Sequence, residues 1–336
     1  MTINIGVIGA GRIGKLHTEN LVMRVPDATV LMVADVIEDA AKDLAARLNI
    51  PQATSDHHDI LNNPDIDAVV ICSATATHAP IMTEAAQARK HIFCEKPIDL
   101  SLDKIDAALA AVDEAGVKLQ IGFNRRFDVN ARAIREAIVS GRIGAPHILQ
   151  ITSRDPAPPS EDYVKVSGGI FLDMTIHDFD MARFLIDSPL VEVFATGSVR
   201  IDPMFERAND FDTAVITLRF EDGTIAVINN SRQAVYGYDQ TIEVFGSKGA
   251  IHSQNMTPNR TVISDADGVH HQKPLYFFLE RYNDSFIAEM NAFIDAIAND
   301  KATPVTGIDG RAPVVIGLAA TKSAYENRPV KLSEIG

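Results

Sequence analysis

Between residues 3 and 123, short apolar runs alternate with longer segments whose apolar residues recur every three or four positions. Residues 3–8, 29–34, 68–72, 91–94 and 119–123 read as strands. The run AVVIC at 68–72 has no polar position, as expected for a strand covered on both faces. Residues 14–23, 40–48, 81–89 and 101–115 read as helices. Ser101 is placed to cap the last of these, and Asp103 falls in its first turn. Strand and helix alternating in this way predict a parallel, doubly wound sheet of the Rossmann type.

After residue 123 the period changes. A helix is expected over 130–140, a strand over PHILQITS, and a loop over the proline-rich PAPPSED. From 191 to about 269 the chain reads as consecutive strands and turns. In 213–220, Ala214, Ile216, Leu218 and Phe220 alternate with Thr213, Val215, Thr217 and Arg219, which makes a strand with one buried face. EDGT supplies the next turn, and SDADGVH reads as a hairpin tip. Helices near 282–298 and 310–325 close the chain. The fold class expected is α/β: an N-terminal Rossmann sheet, then an α+β domain with a large, mainly antiparallel open sheet. The boundaries expected are 1–123 for the Rossmann domain and 124–305 for a substrate-binding and oligomerisation domain. A helix and tail over 306–336 are expected to pack back near the Rossmann domain. An open sheet leaves one face to cover, so a homo-oligomer is expected through it, a tetramer ahead of a dimer.

Composition narrows the function classes. A chain of 336 residues is too long for one ordinary core, and 46% hydrophobic with 23% charged residues indicates a soluble globular protein. The net charge of −14 argues against a nucleic-acid partner. No run approaches a membrane span, and MTINIGVIGAG lacks the basic flank and cleavage site of a signal peptide. The two cysteines, Cys72 and Cys94, lack CxxC spacing and are expected to be reduced, buried thiols of a cytoplasmic protein.

The chemistry begins at GAGRIG: Gly9, Ala10, Gly11, Arg12, Ile13 and Gly14. This G-x-G-x-x-G follows a strand and opens a helix, the context that gives it meaning. Gly9 permits the tight turn, Gly11 a close approach to pyrophosphate, and Gly14 close helix–strand packing. Asp35 ends the second strand, where an acid accepts hydrogen bonds from ribose hydroxyls and repels a 2′-phosphate. Val36 and Ile37 supply no arginine, so NAD is favoured over NADP. The loops CSATATH and CEKP leave strands on the same edge and bring Ser73, Thr75, His78 and Glu95 into the cofactor set. His78 has helix capping as its alternative. Lys96 stands where cofactor and substrate meet, and its ammonium could hold a reacting hydroxyl.

Within GGIFLDMTIHDFDMARFL, at 168–185, Asp173, His177 and Asp180 are spaced by four and three. On a continuous helix they span an arc of about 60°. A satisfied core histidine is one reading. A metal site is another, but it misses the H-E-x-x-H spacing, and no metal is assigned. A catalytic face is the third: a histidine suits the base that removes a hydroxyl proton during hydride transfer, and a carboxylate one turn away orients it.

GVIGAGRIG, the EKP at Glu95–Pro97, GGIFLDMTIHDFD and the Rossmann-then-sheet order resemble the glucose–fructose oxidoreductase/inositol dehydrogenase family over essentially the whole chain. FCEKPIDLSL, GFNRRFD and DMTIHDFDM are most similar to its bacterial inositol 2-dehydrogenase branch. The resemblance implies NAD-dependent oxidation of a cyclic polyol, myo-inositol to 2-keto-myo-inositol, with scyllo-inositol, D-chiro-inositol or glucose as alternatives. It implies His177 as general base, Lys96 as the group positioning the hydroxyl, and Asp173 as the group that orients and balances charge. Asp180 is implied to bind a second ring hydroxyl. Arg125 is placed with the cofactor residues; Arg126, Asn124, Asp155 and Tyr236 are placed with the substrate. Each arginine has a surface ion pair as its alternative, and Tyr236 and Tyr238 have a plain strand role. A non-catalytic NAD-binding regulator and an enzyme that uses NAD without net turnover are the rival classes.

Overall fold

A computed structural model describes residues 2–336. The chain forms two compact units. The first runs to Phe127 and includes Asp284–Val314; the second comprises Asp128–Asn283 and Val315–Gly336.

In the first unit six parallel strands, β1 (Ile3–Ile8), β2 (Ala28–Ala34), β3 (Gln52–Thr54), β4 (Ala68–Ile71), β5 (His91–Glu95) and β6 (Leu119–Gly122), lie in the order β3-β2-β1-β4-β5-β6. The order reverses beside β1, and the crevice outside the carboxyl ends of such strands is where ligands bind. The expected parallel sheet is present, with β3 added. Its three residues sit on an edge and carry no apolar run to reveal them. Ile5, Val7, Val33, Val70 and Phe93 form a core with Met290, Phe293 and Ile294. Those last residues lie on one stripe of the helix Asn283–Ala298. The expected boundary at 305 is therefore corrected: residues 284–305 belong with the Rossmann sheet because their apolar stripe completes its core.

The second unit contains β7 (Pro146–Arg154), β8 (Leu190–Ser198), β9 (Thr213–Phe220), β10 (Ile225–Ser231), β11 (Asp239–Gly246), β12 (Gly249–His252), β13 (Val262–Asp265), β14 (Gly268–His271) and β15 (Val330–Lys331). Seven of them form one sheet, β12-β11-β7-β10-β9-β8-β15; β13 and β14 make a separate hairpin around the expected tip. All pairings in the large sheet are antiparallel except β7 with β10. Leu149, Ile151, Val193, Ile216, Leu218, Ile228 and Val244 pack one face against Phe171, Phe179 and Leu185. On the opposite face Ile148, Ile225 and Phe245 are exposed and share one register row. The expected tail divides: residues 306–314 belong to the first unit, while Val330 pairs with Val193 and residues 315–336 belong to the second.

The segment 168–185 is two helices, Gly169–Asp173 and Ile176–Leu185. The Ile170 carbonyl accepts from the N–H groups of both Met174 (3.0 Å) and Thr175 (2.9 Å), so the hydrogen-bond register slips by one residue. Bonds spanning three residues follow, from the Asp178 N–H to the Thr175 carbonyl (2.8 Å) and from the His177 N–H to the Met174 carbonyl (3.4 Å). Such π-type slips recur at functional sites. The single continuous face expected for Asp173, His177 and Asp180 is thus interrupted between the first two.

Among the described residues no helix is long and apolar enough to cross a membrane.

Candidate active site

In the first unit the glycine loop is shaped by close backbone approach. Gly9 has φ +106°, and a Cβ there would stand 2.6 Å from the Cys72 carbonyl carbon. A Cβ on Gly14 would overlap the Gly9 carbonyl oxygen. Gly11 differs: nothing lies within 4 Å of where its Cβ would be. That open side, with no side chain capping the helix Arg12–Arg24, leaves a backbone-lined cradle for an anion. Asp35 braces it, accepting from the N–H groups of Ala10 (2.6 Å) and Ile37 (2.8 Å). Val36 and Ile37 beside it are exposed and uncharged. The open side at Gly11 and the acid at Asp35 fit a dinucleotide.

Ser73 and Thr75 are half-buried at the start of the helix Thr75–Gln87, with the Ser73 hydroxyl bonded to Thr77 at 2.7 Å. His78 departs from its expected place. Its ring is buried, Nδ1 lies 2.8 Å from the Pro97 carbonyl oxygen and Nε2 3.0 Å from that of Ser73. It ties two loops together and offers no nitrogen to a cofactor. Asn124 is likewise corrected: it is buried and donates to Ser285 Oγ at 3.0 Å, which takes it off the expected substrate rim. Arg126 pairs with Asp309 at 3.0 Å, the ion-pair alternative, while Arg125 is buried in the same 3₁₀ turn. Burial works to raise the Asp309 carboxyl, but Arg126 and the Thr306 N–H outweigh it and hold that carboxyl below its ordinary range. Lys96 is half-buried, just beyond β5. Glu95 is buried with its carboxylate against His17, turned inward from the cofactor side where it was expected.

In the second unit Asp173 and Asp155 meet on one guanidinium. Arg232 is 3% exposed and donates to Asp173 Oδ2 at 2.7 Å and to Asp155 Oδ2 at 3.4 Å. Tyr163 donates its hydroxyl to the other Asp173 oxygen at 2.7 Å. Burial alone would make Arg232 easier to deprotonate, but Asp173 and Asp155 more than reverse this and hold it firmly cationic. Asp210, close by, accepts from the Ile170 N–H at 2.9 Å, and burial pushes its carboxyl up. His177 is half-buried in the first turn of Ile176–Leu185. Asn230 on β10 fixes that turn: it accepts from Thr175 Oγ1 at 2.6 Å and donates to Asp178 Oδ2 at 2.8 Å. Asp180 is buried on the same helix, and Tyr236 is partly exposed, accepting from Arg154 and bonded to Asp239. Tyr238 is a core residue packed on Tyr282.

Arg232, Asn230, Tyr163 and Asp178 escaped sequence reasoning. For Asn230 and Arg232 the only signal was the cluster of polar residues NNSR closing a strand whose earlier positions alternate.

Comparison with known proteins bears on both units. Residues 3–123 match the family described as "Oxidoreductase family, NAD-binding Rossmann fold", and residues 131–252 match "GFO/IDH/MocA C-terminal domain". The chain is 49% identical to the myo-inositol 2-dehydrogenase of Thermotoga maritima, covering 99% of both chains. It is 45% identical to the inositol 2-dehydrogenase of Rhizobium meliloti, covering 99% of this chain and all of that one. Among solved structures, the scyllo-inositol dehydrogenase of Lactobacillus casei with bound NAD(H) and scyllo-inositol superposes with a TM-score of 0.93. It is 30% identical and covers 99% of this chain and 100% of the other.

Proposed function

The chain belongs to the GFO/IDH/MocA oxidoreductase family, and from that premise we propose that it oxidises a cyclic polyol, myo-inositol, to 2-keto-myo-inositol. The observation that carries the reading is the placement of Asp173 and Asp155 on Arg232. A polyol repays its desolvation only where fixed acceptors meet its hydroxyls. Two carboxylates clamped by one buried guanidinium are such acceptors.

NAD⁺, when bound, supplies the hydride acceptor. His177 takes the proton of the reacting hydroxyl, a role suited to an imidazole at neutral pH. Lys96 holds the oxygen of that hydroxyl and stabilises the charge it gains. Asp173, fixed by hydrogen bonds from Arg232 and Tyr163, balances the cation that forms on His177. Asp180 and Tyr236 complete the substrate set; Gly9, Ala10, Gly11, Arg12, Ile13, Gly14 and Asp35, with Ser73, Thr75 and Arg125, serve the cofactor. The absence of an arginine at 36–37 supports NAD rather than NADP. The free, buried thiols of Cys72 and Cys94 support a cytoplasmic enzyme, and the exposed apolar row of the large sheet supports a homotetramer.

The test is NADH formation with purified protein, NAD⁺ and a panel of myo-, scyllo- and D-chiro-inositol, glucose and xylose, repeated with His177→Ala. Saturable turnover of myo-inositol, reduced about 10²–10⁴-fold in the variant, is expected. Wild-type turnover in the variant would remove His177 from the mechanism. A panel without turnover, while NAD still binds, would favour the regulator or the enzyme that uses NAD internally.

A further inference from the structure

The proposed mechanism leaves one buried titratable cluster unused. His17 lies on the helix Arg12–Arg24 and is fully buried, edge-on to the rings of Phe93 (5.2 Å) and Phe286 (5.5 Å). Its Nε2 meets Glu95 Oε1 at 2.7 Å, where the imidazole N–H donates to the carboxylate. Glu95 closes β5 and immediately precedes Lys96, whose backbone N–H donates to Glu95 Oε2 at 3.3 Å. Glu289, from the helix Asn283–Ala298, completes the cluster. It is fully buried, no hydrogen-bond donor among the described residues reaches either carboxyl oxygen, and one of them lies within 4.8 Å of the His17 and Glu95 ligand atoms.

The surroundings are built to admit this polar group. On β6, Gly122 leaves the space beside Glu95: a Cβ there would stand 3.0 Å from the carboxyl carbon. On that strand Gln120 donates to the Glu289 backbone oxygen at 2.8 Å, which holds the helix in place. Burial first, and then the charge on Glu95, push the Glu289 carboxyl well above the ordinary glutamate range. The other titratable groups facing the cluster are Cys72 and Cys94, whose buried thiols are pushed up too and stay neutral. Two carboxyls and an imidazole in a dry core cost stability that an apolar trio of similar volume would not. What they hold is the residue before Lys96.

We propose that His17, Glu95 and Glu289 form a buried positioning set that anchors the Lys96 loop to the helix beginning at the phosphate cradle. The N–H of His17 fixes the Glu95 carboxylate, and that carboxylate fixes the backbone at Lys96. Glu289, fully buried on the helix that Gln120 holds to β6, closes the space over the pair. The inference rests on the assignment of Lys96 to the reaction.

The test uses His17→Phe, which keeps the ring and removes the N–H, and His17→Gln, which restores a donor. Against wild type turning over myo-inositol with NAD⁺, His17→Phe is expected to lower kcat by about 10²-fold, the cost of a misplaced reacting group. NADH affinity, read by fluorescence titration, is expected to stay within about threefold of wild type. His17→Gln is expected to recover at least about tenfold in kcat. Hydrogen exchange in the peptide carrying Lys96 is expected to quicken in His17→Phe and return toward wild type in His17→Gln. That last readout needs no substrate, so it still judges the anchor if the polyol assignment fails. Unchanged kcat and exchange in His17→Phe would overturn the proposal, as would a stoichiometric metal in the purified protein that the variant loses. Should His17→Phe not fold, Glu95→Gln carries the same readouts, and wild-type kcat with wild-type exchange there would overturn it equally.

Discussion

At the scale of single residues, the telling side chain is Arg232. Asp155 and Asp173 lie 77 and 59 residues away along the chain, yet both bond to its guanidinium. Replacing it with Met strands two carboxylates beside a third, Asp210, and breaking one partner of a buried ion pair costs about 3–5 kcal/mol. Arg232→Met is therefore expected to lose thermal stability and to raise the KM for myo-inositol at least about tenfold. Arg232→Lys keeps the charge, but its point-like ammonium cannot span both carboxylates, so it should fall between wild type and Met. Steady-state kinetics beside a melting curve check both; equal KM values in all three proteins would detach Arg232 from the substrate. Sequence reasoning could not have found this residue, because an arginine at a strand end reads as solvated and its partners are set by the sheet. Lys96, Asp173 and His177 stood out in the sequence as candidates, since local spacing and a strand-end position mark them. His78 and Asn124 were misplaced for the opposite reason: their neighbourhoods suggested the cofactor and the substrate rim, but the His78 ring joins two loops and the Asn124 amide ties its turn to the helix Asn283–Ala298.

At the scale of elements, periodicity recovered every Rossmann strand but the edge strand β3, because AVVIC-like runs have few other uses. It did not show where the last helices belong. The stripe of Phe286, Met290, Phe293 and Ile294 says that a helix is amphipathic, not which sheet it covers. Nor could it show the slipped turn at 170–175, which depends on Asn230 reaching across from β10. The helix Asn283–Ala298 carries a prediction through Glu289. Its carboxyl is raised in the folded protein, by burial and then by Glu95. As pH rises past the ordinary glutamate range, the unfolded chain releases this proton while the folded chain keeps it. The unfolded state is thereby favoured, and stability falls until the folded-state carboxyl also ionises. Below the ordinary range both states are protonated and the effect vanishes. Glu289→Gln, which cannot ionise, is expected to leave the midpoint nearly unchanged at about pH 4. At about pH 8 it should raise the midpoint by at least roughly 2–4 °C. Calorimetry across that range decides it; a variant whose midpoint follows the wild-type pH slope would mean that Glu289 ionises normally in the fold.

At the scale of the whole molecule, the proposed homotetramer is tested on the exposed face of the large sheet. Its buried face alternates cleanly with an opposite face on which Phe245, Ile148 and Ile225 form one row and Phe194 and Val215 lie on the neighbouring strands β8 and β9. Polar groups, among them Gln150 and Glu243, interrupt this face in the next row. That mixture suits a surface covered by a second copy, with an apolar centre and a polar surround. A stable pairing would bury upward of about 1,000 Å². Ile148→Asp with Phe245→Asp puts two charges into the row and touches neither the glycine loop nor the segment holding Asp173 and His177. Light scattering of the wild type is expected to give the mass of a tetramer, and the double variant is expected to fall to a smaller assembly. The wild-type melting point should rise with protein concentration, as mass action requires of a protein stabilised by its partners, and the variant's should not. A wild type already monomeric at micromolar concentration would leave the row without the partner assigned to it. A tetramer that survives both charges would place the interface elsewhere on the chain.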